Sequence, residues 1–259
     1  MFCDTHAHLD DDQFDKTRDV VIQRALAAGV STIVTVGTTV ASSETCVRLA
    51  RNYLPLFAAV GIQPNHAGQA AAGDWERIVR LVNEPFVVAL GETGLDRYWD
   101  FAPFDVQQDY FDRHLRLAQA RDVPVVIHMR DCAEDVLAML REARQRGPLR
   151  GVMHSFSGDA ETARQCVEIG MHVSFAGMVT FKKSQALREV ARSIPDDRIL
   201  IETDSPYLSP EPKRGRQPNE PAWLVHTAAC LASGREKDLD QFAALTTANA
   251  ARLFRFPAR

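Results

Sequence analysis

The chain lacks the features of an exported, membrane-bound or disulfide-bonded protein. No apolar run is long enough to span a bilayer, and Asp4 and His6 interrupt the N-terminus before a signal-peptide core could form. The five cysteines are scattered and show no Cys-x-x-Cys spacing, which is typical of reduced, mostly buried thiols. We therefore expect a cytoplasmic protein that has no contact with a membrane.

The chain also has little net charge, -4 over 259 residues. This balance gives no general attraction to nucleic acid or anionic lipid, so any phosphate contact must come from local cations. The sequence contains no phosphate-cradling glycine loop and no Ser-His-Asp or Cys-His pairing that would indicate a covalent mechanism. No obligate protein partner is implied.

Short apolar runs alternate with helix-length amphipathic segments along the whole chain. Eight runs predict strands, and at least eight segments between and after them predict helices. Such alternation indicates a parallel sheet covered by helices, and eight units favour a TIM-type (β/α)8 barrel, either regular or distorted. An open doubly wound sheet is the alternative, but no glycine-rich fingerprint follows the first strand. No linker interrupts the chain, so we predict a single domain over residues 1–259.

The first predicted strand ends in Asp4-Thr5-His6-Ala7-His8. Residues i and i+2 of a strand point to the same side, so His6 and His8 can chelate one divalent ion. Four later strands also end at a polar residue that could bind a metal, and these residues are Glu92, His128, His154 and Asp204. Each of them alone could be an ordinary polar residue at a strand end. Together they predict a metal site, because the carboxyl ends of barrel strands share one rim.

Six ligands exceed the four that one zinc-like ion usually takes, so we predict two divalent ions, either zinc, manganese or magnesium. His6 and His8 would hold one ion, the two later histidines the other, and Glu92 would bridge them. Asp204 would complete the first site and accept a proton from the attacking water, so Glu92 and Asp204 are the predicted catalytic residues. A carboxylated lysine cannot be the bridge, because no lysine lies between Lys16 and Lys182.

Five ordered motifs make the chain similar to the TatD family of metal-dependent deoxyribonucleases. The matching segments are Asp4-Thr5-His6-Ala7-His8-Leu9-Asp10, Gly91-Glu92-Thr93-Gly94-Leu95-Asp96, His128-Met129-Arg130-Asp131, His154-Ser155-Phe156-Ser157-Gly158 and Glu202-Thr203-Asp204-Ser205-Pro206-Tyr207-Leu208. The resemblance implies the same six metal ligands. One departure lies in Gly61-Ile62-Gln63-Pro64, where the family often has Gly-x-His-Pro and where His66 stands two positions on.

The resemblance favours a 3'-5' exonuclease that acts on single-stranded DNA or DNA ends through a two-metal-activated water. A D-aminoacyl-tRNA deacylase or another ester hydrolase on the same dinuclear site is the alternative, and a non-catalytic binding protein is the third. For the substrate we predict contacts from Arg130, Tyr207 and Arg214, with Trp99 as a further base-stacking residue. We expect structural or surface roles for four histidines, His66, His114, His172 and His226.

Overall fold

The computed structural model describes residues 1–258 and forms an eight-stranded barrel. Every strand pairs in parallel with its neighbour in the sequence, so the order is simply β1 to β8. The predicted TIM-type barrel is confirmed. The strands are β1 (Phe2–Ala7), β2 (Val30–Val36), β3 (Leu56–Val60), β4 (Val87–Asp96), β5 (Val125–Arg130), β6 (Gly151–Met153), β7 (His172–Phe175) and β8 (Ile199–Ile201).

Helices occupy the connections between strands and cover the outside of the barrel. Several begin where a side chain caps the first backbone N–H groups, as Asp159 and Asp238 do. The helices are α1 (Arg18–Ala27), α2 (Val40–Asn52), the single turn α3 (Pro64–Ala67), α4 (Asp74–Leu81), α5 (Phe104–Arg121), α6 (Ala133–Arg146), α7 (Ala160–Ile169), α8 (Gln185–Ser193), α9 (Leu224–Gly234) and α10 (Leu239–Phe254).

Two element boundaries differ from the sequence-based prediction for identifiable reasons. The sequence predicts that strand four ends at Glu92, but β4 continues because its residues up to Asp96 pair with β5. Helix α2 begins at Val40 because the Thr39 side chain accepts a hydrogen bond from the Ser42 N–H. The first difference matters for the site, since it carries Glu92 inside a strand.

The barrel is nearly closed and distorted. Strands β1 and β8 are not joined by a full ladder; a parallel bridge connects Ala7, the last residue of β1, to Ser205, which follows β8. Two backbone hydrogen bonds close this seam, from the Asp204 N–H to the His6 carbonyl at 2.9 Å and from the His8 N–H to the Ser205 carbonyl at 2.7 Å. Register shifts interrupt the β1–β2, β3–β4 and β4–β5 pairings. Such irregularities bend strands where side chains must be aimed at a site.

Two apolar layers hold the barrel together. The larger cluster joins the outward side chains of the strands to the helices. The smaller one consists of strand residues such as Val36, Phe57 and Val126 together with the end of α10, so it fills the barrel interior. Phe254 and Phe256 pack there with ring centroids 5.5 Å apart. No helix within residues 1–258 is both long and apolar enough to cross a membrane. The single domain over residues 1–259 stays a prediction.

Candidate metal centre

The six predicted ligands lie together at the carboxyl ends of the strands. His6 lies near the end of β1 and His8 directly follows it, while Glu92 lies within β4 and His128 within β5. The remaining two follow β6 and β8, and they are His154 and Asp204. His6 and Glu92 are almost completely buried, with 0% and 3% of their surface exposed, so the ligand atoms face each other and not bulk water.

Glu92 stands between two pairs of histidines, and each of its oxygens faces one pair. Oε2 lies 3.5 Å from His6 Nε2 and 3.7 Å from His8 Nε2. Oε1 lies 3.0 Å from His128 Nδ1 and 3.1 Å from His154 Nε2. Within each pair the two nitrogens are close, 3.1 Å apart in the first and 3.4 Å in the second. This is the arrangement that a bridging carboxylate requires.

Asp204 faces the first pair only. Its Oδ1 lies 3.5 Å from His8 Nε2 and 3.7 Å from His6 Nε2. The backbone of Asp204 is left-handed, with φ at 55°, a conformation that costs a non-glycine residue about 1–3 kcal/mol. The hydrogen bond from its N–H to the His6 carbonyl holds it there. Barrel closure therefore places this carboxylate beside the first histidine pair.

The second nitrogen of each histidine determines which nitrogen is free for a metal. His8 Nδ1 lies 2.8 Å from the Val36 carbonyl, which only accepts, so Nδ1 carries the proton and Nε2 is free. His128 Nε2 lies 2.8 Å from Asp96 Oδ2, so its Nδ1 is free. The free nitrogen of each residue faces the centre: His8 Nε2 lies near Glu92 and His6, and His128 Nδ1 lies near Glu92 and His154.

The other two histidines are held differently. His154 Nδ1 lies 3.4 Å from Glu202 Oε1 without a hydrogen bond, and that buried carboxylate accepts a hydrogen bond from the Ser155 N–H. His6 has a buried Nδ1 without a hydrogen-bond partner, and its ring stacks on His154 with centroids 4.1 Å apart. Packing, and not a hydrogen bond, therefore orients His6.

Sequence reasoning missed two carboxylates, Asp96 and Glu202, that lie beside the predicted ligands. Asp96 holds His128 and also accepts a hydrogen bond from Asn65 Nδ2 at 3.1 Å, and Glu202 faces His154. The signal was present, because Asp96 ends the Gly91–Asp96 motif and Glu202 begins the Glu202–Leu208 motif. We expected those motifs to supply metal ligands and did not assign their remaining carboxylates.

Gly94 allows β4 to approach β5 closely enough for Glu92 to reach His128. Its φ is +131°, a region that side-chain-bearing residues rarely adopt, and a Cβ there would lie 2.0 Å from the His128 carbonyl oxygen. Gly94 pairs directly with His128 in the ladder. The sequence Gly-Glu-Thr-Gly therefore sets the spacing of the two strands and also contains the predicted ligand Glu92.

The charges of the centre favour an ionised Glu92. Burial by itself would raise the pKa of Glu92, but the charge of His154 and hydrogen bonds from His128 and His6 outweigh burial and hold the pKa well below its usual value. Burial likewise raises the pKa of Asp204, and its histidine neighbours reverse the shift and lower it. Both carboxylates are therefore charged at neutral pH, as metal ligands must be.

A cavity of about 720 Å³ opens above the centre. Two of the three predicted substrate residues, Arg130 and Tyr207, line it, as does Trp99. Arg214 does not line the cavity; its guanidinium stacks on Phe181 at 4.2 Å from the ring centroid. Its substrate role therefore has no support from its position and stays a prediction.

The histidines outside the ligand set occupy different environments. His66, for which we expected a structural or surface role, lies on the cavity wall together with Gln63 and Asn65, so the loop that departs from the family pattern faces the cavity. His114 is buried, as is His172. Burial lowers the pKa of His226 and so does the nearby Lys213. Only His66 among them approaches the candidate centre.

The donor set fits divalent cations. Among residues 1–258, three groups of side chains have ligand atoms within 4.8 Å of one another, and two of these groups share Glu92. Four imidazoles and two carboxylates suit zinc, manganese or iron better than they suit magnesium. A free nitrogen on His8 and on His128, each fixed by a partner at the opposite nitrogen, is the state that a metal ligand requires.

Comparison with known proteins shows the family of the chain. The family model described as TatD related DNase matches residues 3–255. The chain belongs to the TatD family. A metal-dependent hydrolase of Bacillus subtilis, YabD, is 40% identical over 255 residues, which cover 98% of this chain and 99% of the relative. The TatD protein of Citrobacter rodentium, named a 3'-5' ssDNA/RNA exonuclease, is 37% identical over 97% of both chains.

Solved structures give the same assignment. YjjV, a TatD homologue from Escherichia coli K12, superposes with a TM-score of 0.92 at 32% identity and covers 99% of this TatD-family chain and 98% of YjjV. An amidohydrolase from Saccharomyces cerevisiae superposes with a TM-score of 0.83 at 17% identity, which shows a shared fold alone. The protein is therefore a TatD-family metal-dependent hydrolase.

Proposed function

We propose that this TatD-family hydrolase is a 3'-5' exonuclease that removes nucleotides from single-stranded DNA or from unpaired DNA ends. The observation that carries the proposal is the position of Glu92, whose two oxygens each face a separate pair of histidines at 3.0–3.7 Å. Such a carboxylate suits a centre of two cations, which is a common basis for phosphodiester hydrolysis.

His6, His8 and Asp204 would hold one divalent ion, and His128 with His154 the other, with Glu92 between them. When bound, such ions polarise a phosphoryl oxygen and lower the pKa of a nearby water toward neutrality. The chain itself supplies orientation, because Asp96 and Val36 fix the free nitrogens of two ligands.

Asp204 is the proposed acceptor of the proton from the attacking water. Its carboxylate is ionised, lies against only one histidine pair and lines the cavity where a substrate would enter. A general base contributes about 10²–10⁴-fold to a rate, so it is a substantial part of the expected catalysis. Tyr207 lies beside it, with its ring centroid 6.0 Å from that of His8 and its hydroxyl donating to Asp11.

The choice of nucleic acid as substrate is supported by the relatives named ssDNA/RNA exonucleases and by the cation at the cavity. Arg130 lines the cavity beside the centre, where a guanidinium can contact a phosphate. We find no structural observation that favours a D-aminoacyl ester, so deacylation remains the alternative that the experiment must test.

The test compares the substrates directly. We expect the protein supplied with Mn²⁺, Zn²⁺ or Mg²⁺ to shorten 5'-labelled single-stranded DNA one nucleotide at a time from its 3' end. Glu92→Gln and Asp204→Asn should each lower kcat at least about 100-fold. Glu142→Gln is the matched control, because its carboxylate lies on the surface in a pair with Arg146.

Two results would contradict the proposal. One is hydrolysis of D-aminoacyl-tRNA without any shortening of DNA, which would favour the alternative substrate. The other is unchanged activity in both carboxylate variants, which would show that hydrolysis does not use this centre.

A further inference from the structure

The loop between β4 and α5 exposes three large aromatic side chains within four residues. Tyr98, Trp99 and Phe101 are 54%, 42% and 58% exposed. Trp99 and Phe101 stack with centroids 5.2 Å apart and ring planes 10° from parallel, and both line the cavity above the metal centre. We refer to these three residues as the aromatic rim. Contiguous exposed apolar surface beside a cavity is typical of a binding site.

A cation lies directly on the aromatic rim. The Arg130 guanidinium lies 3.7 Å from the centroid of the Tyr98 ring and 5.9 Å from that of Trp99. Arg130 also lines the cavity. Aromatic faces combined with a guanidinium are the groups that bind single-stranded nucleic acids, since bases stack on the rings and phosphates pair with the cation.

The aromatic rim is attached rigidly to the metal centre. Asp96 Oδ1 accepts hydrogen bonds from the N–H groups of Tyr98 and Trp99 at 2.8 and 3.0 Å. The other oxygen of the same carboxylate accepts from His128 at 2.8 Å. The Asp96 side chain therefore sets the distance between the aromatic rim and the predicted ligand His128. Because the rim is already held in place, it loses little conformational entropy when a ligand binds.

We propose that the aromatic rim is a stacking subsite for unpaired bases of a single strand whose scissile phosphate lies at the metal centre, with Arg130 on a neighbouring phosphate. This inference rests on the proposed nuclease function. A base can stack on Trp99 or Phe101 only if it has left its own helix, because bases in a duplex already stack on each other. The subsite therefore selects single strands and frayed ends.

Fluorescence anisotropy with two octamers tests the subsite in the metal-loaded protein. One is an octathymidylate and the other is an abasic octamer, both with phosphorothioate linkages that resist hydrolysis and both with equal charge. We expect Trp99→Ala to raise Kd for the octathymidylate about 5–150-fold, the range for the loss of one stacked base, and to leave the abasic Kd within twofold. Trp99→Phe should restore most of the affinity. Arg130→Ala should weaken both octamers alike.

The control is Leu54→Ala, which removes an exposed apolar side chain in the turn before β3, at the opposite end of the barrel. It should change neither Kd. If the wild type binds both octamers and Trp99→Ala and Phe101→Ala both bind octathymidylate as tightly as the wild type, the stacking subsite is wrong while the nuclease proposal stands. If the wild type binds neither octamer and cleaves no DNA, the nuclease proposal fails and the subsite fails with it.

Discussion

At the scale of single residues, Asp96 connects the candidate metal centre to the aromatic rim. Its carboxylate holds His128 and the N–H groups of two aromatic-rim residues, and it accepts from Asn65. Burial raises the pKa of Asp96, but the hydrogen bond from His128 and that from the Trp99 N–H outweigh it and lower the pKa to about 2. A charged acceptor on the far nitrogen makes the near nitrogen of His128 a stronger ligand.

We expect Asp96→Asn to weaken metal binding about 10–100-fold, because the amide carries no charge to polarise the imidazole. Isothermal titration of the chelator-treated protein with Zn²⁺ or Mn²⁺ measures the effect. Asp135→Asn is the control, since that carboxylate pairs with Arg97 and contacts no ligand. An Asp96→Asn protein with wild-type metal affinity would show that His128 needs no charged partner.

His114 lies in α5, away from the metal centre, and makes stability depend on pH. It is buried, its Nδ1 faces the Tyr110 carbonyl at 2.7 Å, and its Nε2 accepts from the Ile62 N–H at 3.2 Å. Burial lowers its pKa to about 4. The unfolded chain therefore binds a proton that the folded protein does not, between pH 6.5 and 4.

Stability should fall as the pH falls through that window, by about 3 kcal/mol for this residue when protonation of the unfolded state is complete. Glutamine can keep a donor and an acceptor there but does not titrate. We measure the free energy of unfolding with urea in the presence of a chelator. Between pH 7 and pH 4 it should fall by about 3 kcal/mol less for His114→Gln than for the wild type. If the free energy of unfolding falls equally in both proteins over this pH range, His114 is protonated in the folded state as well.

At the scale of elements, the approach of β4 to β5 determines whether the two halves of the centre meet. Gly94→Ala would place a methyl group 2.0 Å from the His128 carbonyl oxygen, so the strands must separate. We expect a loss of more than about 3 kcal/mol in the free energy of unfolding, together with weaker metal binding.

Chemical denaturation and metal titration measure both effects. Gly234→Ala in α9 is the matched control, because nothing lies within 4 Å of the added Cβ, and it should be neutral or stabilising by up to about 1 kcal/mol. A Gly94→Ala protein that is as stable as the control variant would show that the strands have room to move apart.

At the scale of the whole molecule, bound cations would tie together β1, β4, β5 and the segments after β6 and β8, which are far apart in the chain. Ions that bind only the folded state stabilise it by about 2.7 kcal/mol per site at 100 times Kd. For a protein of this size that corresponds to a rise in Tm of about 5–10 °C per site.

Chelator should therefore lower Tm, and added Mn²⁺ or Zn²⁺ should restore it in a concentration-dependent way. The double variant His6→Ala/His8→Ala should show a smaller metal-dependent shift than the wild type, because it keeps only the second pair with Glu92. Calorimetry that finds the same Tm with chelator and with metal would exclude a metal contribution to folding stability.

The sequence by itself determined the barrel architecture and the polar residues that lie at or near the carboxyl ends of its strands. Apolar runs of strand length alternating with amphipathic segments allow few other architectures, and polar residues at strand ends must share a rim once the barrel forms. His6, Glu92 and Asp204 could be chosen on that basis, although they stand far apart in the chain. Their roles as metal ligands remain predictions, as do the two ions.

Only the tertiary structure decided which oxygen of Glu92 faces which histidines and which carboxylates lie beside those histidines. It also decided that Trp99 and Phe101 line the cavity while Arg214 does not. These facts depend on contacts between strands and loops that are distant in sequence. A pattern of residue types gives the side of a strand on which a side chain lies. It does not give the ångström-scale distances between strands, which packing and close approaches such as that of Gly94 to His128 determine.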